Sequence, residues 1–330
     1  MNMFKKLGNV WQPALFHGYR KRPFFFEGWY YKIGTDDGKN ILAFIVGISM
    51  NEPEKNDHAF IQVLDTHTNR PHFFSFDLNQ FEAKTDPFVI KVSDNHFSLT
   101  DLRINLKNNQ IHINGHVQFD RLFPWPVKLN SPGVMGPYAF APFMQCYHGI
   151  LSMHHRLRGY VHFDHYKIHL DNGRGYIEKD WGRAFPKTYL WLQCNHFQDT
   201  DTSLFISVAH VPWITGAFTG FLGGLLLNNR LYRFATYTGA VVSNLSVKEQ
   251  QISLTIEDRS HRLEIKILRS RSHQLQAPYD NAFSAKVHET LTATVTFTLY
   301  QKGLTGDNHI SADLGHPAAF DWAGPVDTLF

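Results

Sequence analysis

The chain reads as an all-β protein, and three observations predict it. Tight-turn pairs recur at short intervals, and the segments between them are rich in β-branched and aromatic residues. No window sustains a capped, helical apolar period. Composition supplies the core. The 330 residues are 43% hydrophobic and include 28 Phe, 13 Tyr and 7 Trp, which argues against disorder and leaves room for one large or two ordinary domains.

Taken in order, strands are expected at 25–34 and 40–50, flanking Thr35-Asp36-Asp37-Gly38-Lys39, whose Asp-Gly pair suits a two-stranded turn. A strand-like run at 111–119 is interrupted by Asn114-Gly115, a bulge or turn signal. Residues 123–142, opened by Phe123-Pro124-Trp125-Pro126, are rich in Pro and Gly and read as a long surface connection, with a short helix near 142–149. Asn172-Gly173 separates a strand at 166–170 from one opening at Tyr176, and the domain boundary is placed there, giving domains 1–172 and 173–330. Residues 205–227 hold no Asp, Glu, Lys or Arg and are long enough to span a bilayer. Pro212, four glycines and His210 instead divide them into buried strands at 204–211 and 221–227, with a turn at 216–220. Further strands are expected at 231–242, 251–257, 262–268 and 292–301.

Charge narrows the function classes. A net charge of +3 with only 18% charged residues, of both signs throughout, excludes a nucleic-acid-binding face. The short Arg20-Lys21-Arg22 cluster reads as a solvated lead-in to a strand. Cys146 and Cys194 lie far apart without metal or redox spacing and read as reduced core thiols. The opening residues lack an apolar signal segment, so a cytoplasmic location is expected. His154-His155 and His162, His165 and His169 fit no metal template, and no metal or cofactor is expected. Nucleotide loops, zinc-protease helices and hydrolase elbows are absent.

The segment Gly175-Tyr176-Ile177-Glu178-Lys179-Asp180-Trp181-Gly182-Arg183-Ala184-Phe185-Pro186 carries the chemistry. In a strand, Tyr176, Glu178 and Asp180 share a face, successive Cα atoms on that face being about 6.6 Å apart. Two carboxyls so close against apolar walls resist joint ionisation, which is how a protein keeps a neutral general acid. Surface acids flanking Lys179 are the plainer alternative. Glu27, Trp29 and Tyr31 share a face of their strand, as do Trp191, Gln193 and Asn195, and Tyr147 and His148 sit beside Cys146. These groups suit either an aromatic core with satisfied polar atoms or a ligand cavity with a few convergent polar groups.

Five segments together resemble the tocopherol cyclase family. They are Phe25-Phe26-Glu27-Gly28-Trp29-Tyr30-Tyr31-Lys32, Met144-Gln145-Cys146-Tyr147-His148, the run from Glu178 to Pro186, Trp191-Leu192-Gln193-Cys194-Asn195, and Tyr232-Arg233-Phe234-Ala235-Thr236-Tyr237. The motif core is also similar to carotenoid hydratases and lipocalin-like Diels–Alderases. The resemblance implies two lipocalin-like β-barrel or β-sandwich units with a ligand cavity. The opening residues do not resemble a plastid transit sequence, nor the closing ones the glycine-rich ending of the plant cyclases, and a bacterial member is therefore expected.

What the resemblance implies chemically is cofactor-independent closure of a chromanol ring on a prenylated benzoquinol. An acid protonates the trisubstituted alkene, and the neighbouring phenol oxygen captures the tertiary cation. Glu178 is the expected acid and Asp180 the neighbour that keeps it neutral, with Tyr176 and His148 as proton relays. Glu27, Trp29, Tyr31, Trp181, Trp191, Gln193 and Asn195 are the expected substrate-binding residues, their aromatic faces steadying the cation. A non-catalytic carrier of an apolar ligand, and a hydratase or pericyclase acting on a polyene, are the alternatives. Burying a prenyl tail gains roughly 0.8 kcal/mol per CH₂, which a bilayer offers equally. Peripheral docking on the inner membrane face, through the apolar turn from Trp213 to Phe218, is therefore expected.

Overall fold

The computed structural model describes residues 9–18, 24–50, 57–66, 70–142, 144–213, 216–279 and 282–329. Its chain divides into two units, the first made of Met1–Phe185 and Gln276–Ser284, the second of Pro186–Leu275 and Ala285–Phe330.

Unit 1 is built on β1 (Phe25–Gly34), β2 (Ile41–Met50), β3 (His58–Asp65), β4 (His72–Asp77), β5 (Phe81–Thr85), β6 (Phe88–Val92), β7 (Asn95–Ser98), β8 (Asp101–Lys107) and β9 (His112–Asp120). It continues with a two-stranded hairpin, β10 (Val127–Lys128) and β11 (Ser131–Pro132), then β12 (Cys146–Phe163), β13 (Tyr166–His169) and β14 (Arg174–Gly182). The sheet order is β4-β3-β2-β1-β14-β12-β9-β8-β7-β6-β5, with β13 on β12. The late strands β12 and β14 are thus inserted between β1 and β9. The pairings are antiparallel, as short turns allow.

One apolar cluster fills the inner face of this sheet. It runs from Trp29, Tyr31 and Phe44 through Ile61, Ile90, Phe97, Leu102, Ile113 and Val161 to Ile177. In β8, burial alternates residue by residue, with Leu102, Ile104 and Leu106 inward and Arg103 and Asn105 in water. Each inward Leu or Ile contributes roughly 1.5–3 kcal/mol. By contrast β1, β2 and most of β14 are buried on both faces. This doubly buried patch is where the sequence places its polar residues.

Unit 2 is built on β15 (Tyr189–Cys194), β16 (Ser203–Trp213), β17 (Gly216–Leu227), β18 (Arg230–Ala235), β19 (Val241–Val247), β20 (Gln251–Glu257), β21 (His261–Leu268), the greater part of β23 (Ala282–Gln301) and β24 (Asn308–Ala323), while most of β22 (His273–Tyr279) and the first residues of β23 fall in Gln276–Ser284, which belongs to unit 1. Its sheet order is β18-β17-β16-β15-β24-β23-β21-β20-β19, with β22 on β23. Leu190, Leu192, Leu204, Ile206, Ile252, Leu254, Phe297 and Phe320 belong to its own core. In β20 the alternation is again strict, with Ile252, Leu254 and Ile256 buried and the residues between them half-buried.

Several expectations are corrected. Asn172-Gly173 is a tight turn inside unit 1, with Asn172 at φ 61°, because β14 beyond it pairs with both β1 and β12. The break between units falls instead at Phe185–Pro186. Asn114-Gly115 does not interrupt β9, where Gly115 admits a close neighbour: a Cβ there would lie 2.6 Å from the Tyr160 carbonyl oxygen. No helix forms at 144–149, where β12 has begun by Cys146, and the helical turn lies earlier, at Gly136–Phe140. Residues 216–220, expected as a turn, are instead strand, with Gly216 paired opposite Trp213 and Gly220 opposite Ala209.

Candidate active site

The register of β14 against its two neighbours builds the site. Asp180 stands opposite His148 of β12 and Gly28 of β1, while Glu178 stands opposite Ile150 and Tyr30. Directly paired residues share a face, so Tyr176, Glu178, Asp180, His148 and Tyr30 lie together on the face turned away from unit 1's core.

The imidazole of His148 lies between the carboxylates. Its Nδ1 is 2.7 Å from Asp180 Oδ1, and its Nε2 is 3.4 Å from Glu178 Oε2. The Tyr176 hydroxyl donates to Glu178 Oε2 at 2.6 Å. The Cys146 thiol lies 3.8 Å from Asp180 Oδ1, and burial, then the Asp180 charge, hold it well above its ordinary pKa. Burial opposes charge on His148, but Asp180 and Glu178 outweigh it and raise its pKa to about 10. Burial pushes the Glu178 carboxyl up, and Asp180 adds to this, while His148 and Tyr176 pull in the other direction; the net shift is upward. Burial also raises the Tyr176 phenol, so it remains a hydrogen-bond donor.

These shifts have a common cause. A buried cluster avoids net charge. The upward shift of Glu178 follows that rule, and His148 lies nearest Asp180. His148, Glu178 and Asp180 are also a group of side chains close enough to converge on a cation, with ligand atoms within 4.8 Å of one another. His148 Nδ1 lies against Asp180 at 2.7 Å and Nε2 toward Glu178 at 3.4 Å, so a protonated imidazole there has a carboxylate on each side.

A Cβ at Gly28 would meet only ordinary contacts, 3.8 Å to Ile45 Cγ2 and 3.9 Å to Phe60 Cζ. Gly28, opposite Asp180, could therefore carry a methyl group without displacing its neighbours.

The other expected site residues are placed elsewhere. Glu27, Trp29, Tyr31 and Trp181 lie on the inner face, where alternation from Tyr30 and Asp180 puts them. There Lys179 Nζ meets Glu27 Oε1 at 2.5 Å and His17 Nδ1 at 2.7 Å, and donates to the Leu15 carbonyl. It sits 4.7 Å from the ring centroids of both Trp29 and Trp181. Those tryptophans thus face a protein cation, Lys179. Burial lowers the Lys179 pKa to about 8 despite Glu27. Glu27 also accepts the His17 backbone N–H at 2.8 and 2.9 Å, and the His17 ring stacks on Trp181 at 4.4 Å. Trp191, Gln193 and Asn195 belong to unit 2, all buried. Gln193 Nε2 donates to Ser203 Oγ at 3.4 Å.

Sequence reasoning missed His17, which lies ten residues before Glu27 with no motif to mark it. It also missed Tyr189 and Asp321, whose side chains meet at 3.0 Å across 132 residues.

Comparison with known proteins adds three findings. The family described as tocopherol cyclase-like matches residues 123–317. A chloroplastic protein of Oryza sativa subsp. japonica, named as a probable tocopherol cyclase, is 28% identical over 131 residues, covering 38% of this chain and 27% of that protein. The match spans about a quarter to a third of the length of such curated relatives, 27% here and 33% for the Zea mays tocopherol cyclase. Among solved structures, an AttH protein of Nitrosomonas europaea aligns with TM-score 0.55 at 13% identity, over 91% of this chain and 92% of that one. CghA, solved with Sch210972, aligns with TM-score 0.57 at 8% identity, over 91% and 88%. At these identities the likeness is one of fold, and the fold is lipocalin-like in both units.

Proposed function

This chain belongs to the tocopherol cyclase-like family, and on that premise we propose that it is an acid-catalysed cyclase acting on a prenylated benzoquinol or a closely similar prenyl lipid. The observation that carries the reading is the buried Asp180–His148–Glu178–Tyr176 chain, with Glu178 raised in pKa by its burial.

Glu178 transfers its proton to the less substituted carbon of the alkene, leaving a tertiary cation. The substrate's phenol oxygen adds to that cationic carbon and closes the ring. The phenol proton returns to the Glu178 carboxylate, so atoms balance and no cofactor is consumed. Tyr176, donating to Glu178 Oε2, orients the carboxyl and steadies it after proton transfer. His148, paired with Asp180, holds a positive charge that favours the carboxylate Glu178 becomes. Tyr30, paired directly opposite Glu178, offers an aromatic face for the cation.

Such a substrate partitions into bilayers, so contact with a membrane surface is part of the reading. Among the described residues no helix is long and apolar enough to cross a membrane. In the turn expected to make surface contact, the Trp213 and Phe218 rings pack 5.5 Å apart. Its residues Ile214 and Thr215 lie outside the described residues, as do Arg20, Lys21 and Arg22.

The test is incubation of purified protein with reduced prenylated benzoquinol, followed by chromatography and mass analysis. A product of unchanged mass and altered retention, absent with Glu178→Gln, supports the cyclase. A product heavier by one water supports a hydratase, and bound but unchanged quinol supports a carrier.

A further inference from the structure

We propose that the surface where the 9–18 segment meets the 124–142 loop is a docking face for an anionic lipid bilayer. Two sequence segments and one set of contacts carry the inference, which does not depend on the reaction catalysed.

The first observation is charge. None of the chain's 29 acidic residues falls in 1–26 or in 121–163. In sequence the first stretch holds Lys5, Lys6, Arg20, Lys21 and Arg22, all outside the described residues, and the second holds exposed Arg121, Lys128 and Arg158, the last paired with Asp120. The second observation is that the described 9–18 segment of the first stretch meets the 124–142 loop of the second. Trp11 Nε1 donates to the Leu129 carbonyl at 3.0 Å, and the Trp11 ring packs edge-on against Phe140 with centroids 5.6 Å apart.

The third observation is what this surface presents to water. Leu129 is 82% exposed, Val127 43% and Phe140 42%, with exposed Lys128 between the first two. Pro124, Pro126, Pro137 and Pro142 are exposed around them. Single exposed apolar residues are ordinary. Here they lie on and beside one hairpin tip, share it with a lysine, and have no carboxylate in either stretch to repel phosphate headgroups. Apolar insertion combined with positive charge is the pairing that binds a protein reversibly to anionic bilayers. The Trp213–Phe218 turn offers apolar rings alone, in a stretch without Lys or Arg.

The position suits delivery of a lipid. The loop runs directly into β12, which carries Cys146 and His148, and the Tyr147 hydroxyl donates to the Ala141 carbonyl, tying the loop to that strand.

The test is co-sedimentation of the full chain, without substrate, with vesicles of phosphatidylcholine and phosphatidylglycerol, against phosphatidylcholine alone. Wild type is expected to sediment with the anionic vesicles and to be released by salt. Lys128→Gln is expected to weaken binding about fivefold, the value of one basic residue near such a surface. Leu129→Ser is expected to weaken it about tenfold by removing an inserted side chain. Circular dichroism of both variants should match wild type, since both side chains are exposed. Wild type remaining in the supernatant, or both variants binding unchanged, overturns the proposal. Loss of binding on Trp213→Ser alone overturns it in favour of that turn.

Discussion

Replacing Lys179 with Met isolates a fully buried ion pair inside unit 1. Lys179 and Glu27 are both fully buried and meet at 2.5 Å. Met fills much of the same volume but removes the charge that opposes Glu27. The two His17 N–H contacts to Glu27 stay in place, so the loss is the unpaired carboxylate rather than its hydrogen bonds. Breaking a buried pair from one side costs about 3–5 kcal/mol. In a unit of this size that lowers the melting temperature by roughly 6–20 °C. Calorimetry of the full chain reads the shift. Combining Glu27→Gln with Lys179→Met should recover most of it, because the pair is then removed without leaving a charge. A single variant within about 1 kcal/mol of wild type, or a double variant no better than the single, would show that the pair is not what holds this face together.

Other expectations concern the outward-facing cluster. His148 has a folded pKa of about 10 against an unfolded 6.5, so the stability it contributes is fully present below pH 6.5 and disappears as pH rises through 10. The linked free energy is roughly 5 kcal/mol, and denaturation curves of wild type and His148→Gln should diverge in slope across that window. Tyr176→Phe removes a hydrogen bond that lowers the Glu178 pKa, so the alkaline limb of the pH–rate profile should move upward while kcat falls. Gly28→Ala adds a methyl in ordinary contact with Ile45 and Phe60, so it should leave the fold intact by circular dichroism, and it should raise KM because the substrate lies against the Gly28–Asp180 pair. Unchanged kinetics in that variant would show that the substrate does not lie against Gly28.

Period-two alternation made part of the site legible. Tyr176, Glu178 and Asp180 share a face as their spacing requires, and β1 and β20 lie at the expected residues because turn chemistry and β-branched runs agree there. Alternation alone also separates Trp29 and Trp181 from Glu178, once Glu27 and Lys179 are known to be neighbours; that register is a long-range fact. The insertion of β14 between β1 and β12 had no local signal. It is the reason Asn172-Gly173 resembles a domain boundary and is a turn. His148 entered the expected site through resemblance, since only the pairing of β12 with β14 brings it to Asp180. His17 could not be read from spacing, because it reaches Glu27 from an irregular segment.

If Glu178 is the acid, it delivers a solvent-derived proton to an alkene carbon, and turnover in heavy water reads that step. The product is returned to ordinary water before mass analysis, so that its hydroxyl positions exchange. One retained deuterium per product ring is predicted, with no such product from Glu178→Gln. A cyclised product without deuterium, or full activity in Glu178→Gln, would contradict the assignment.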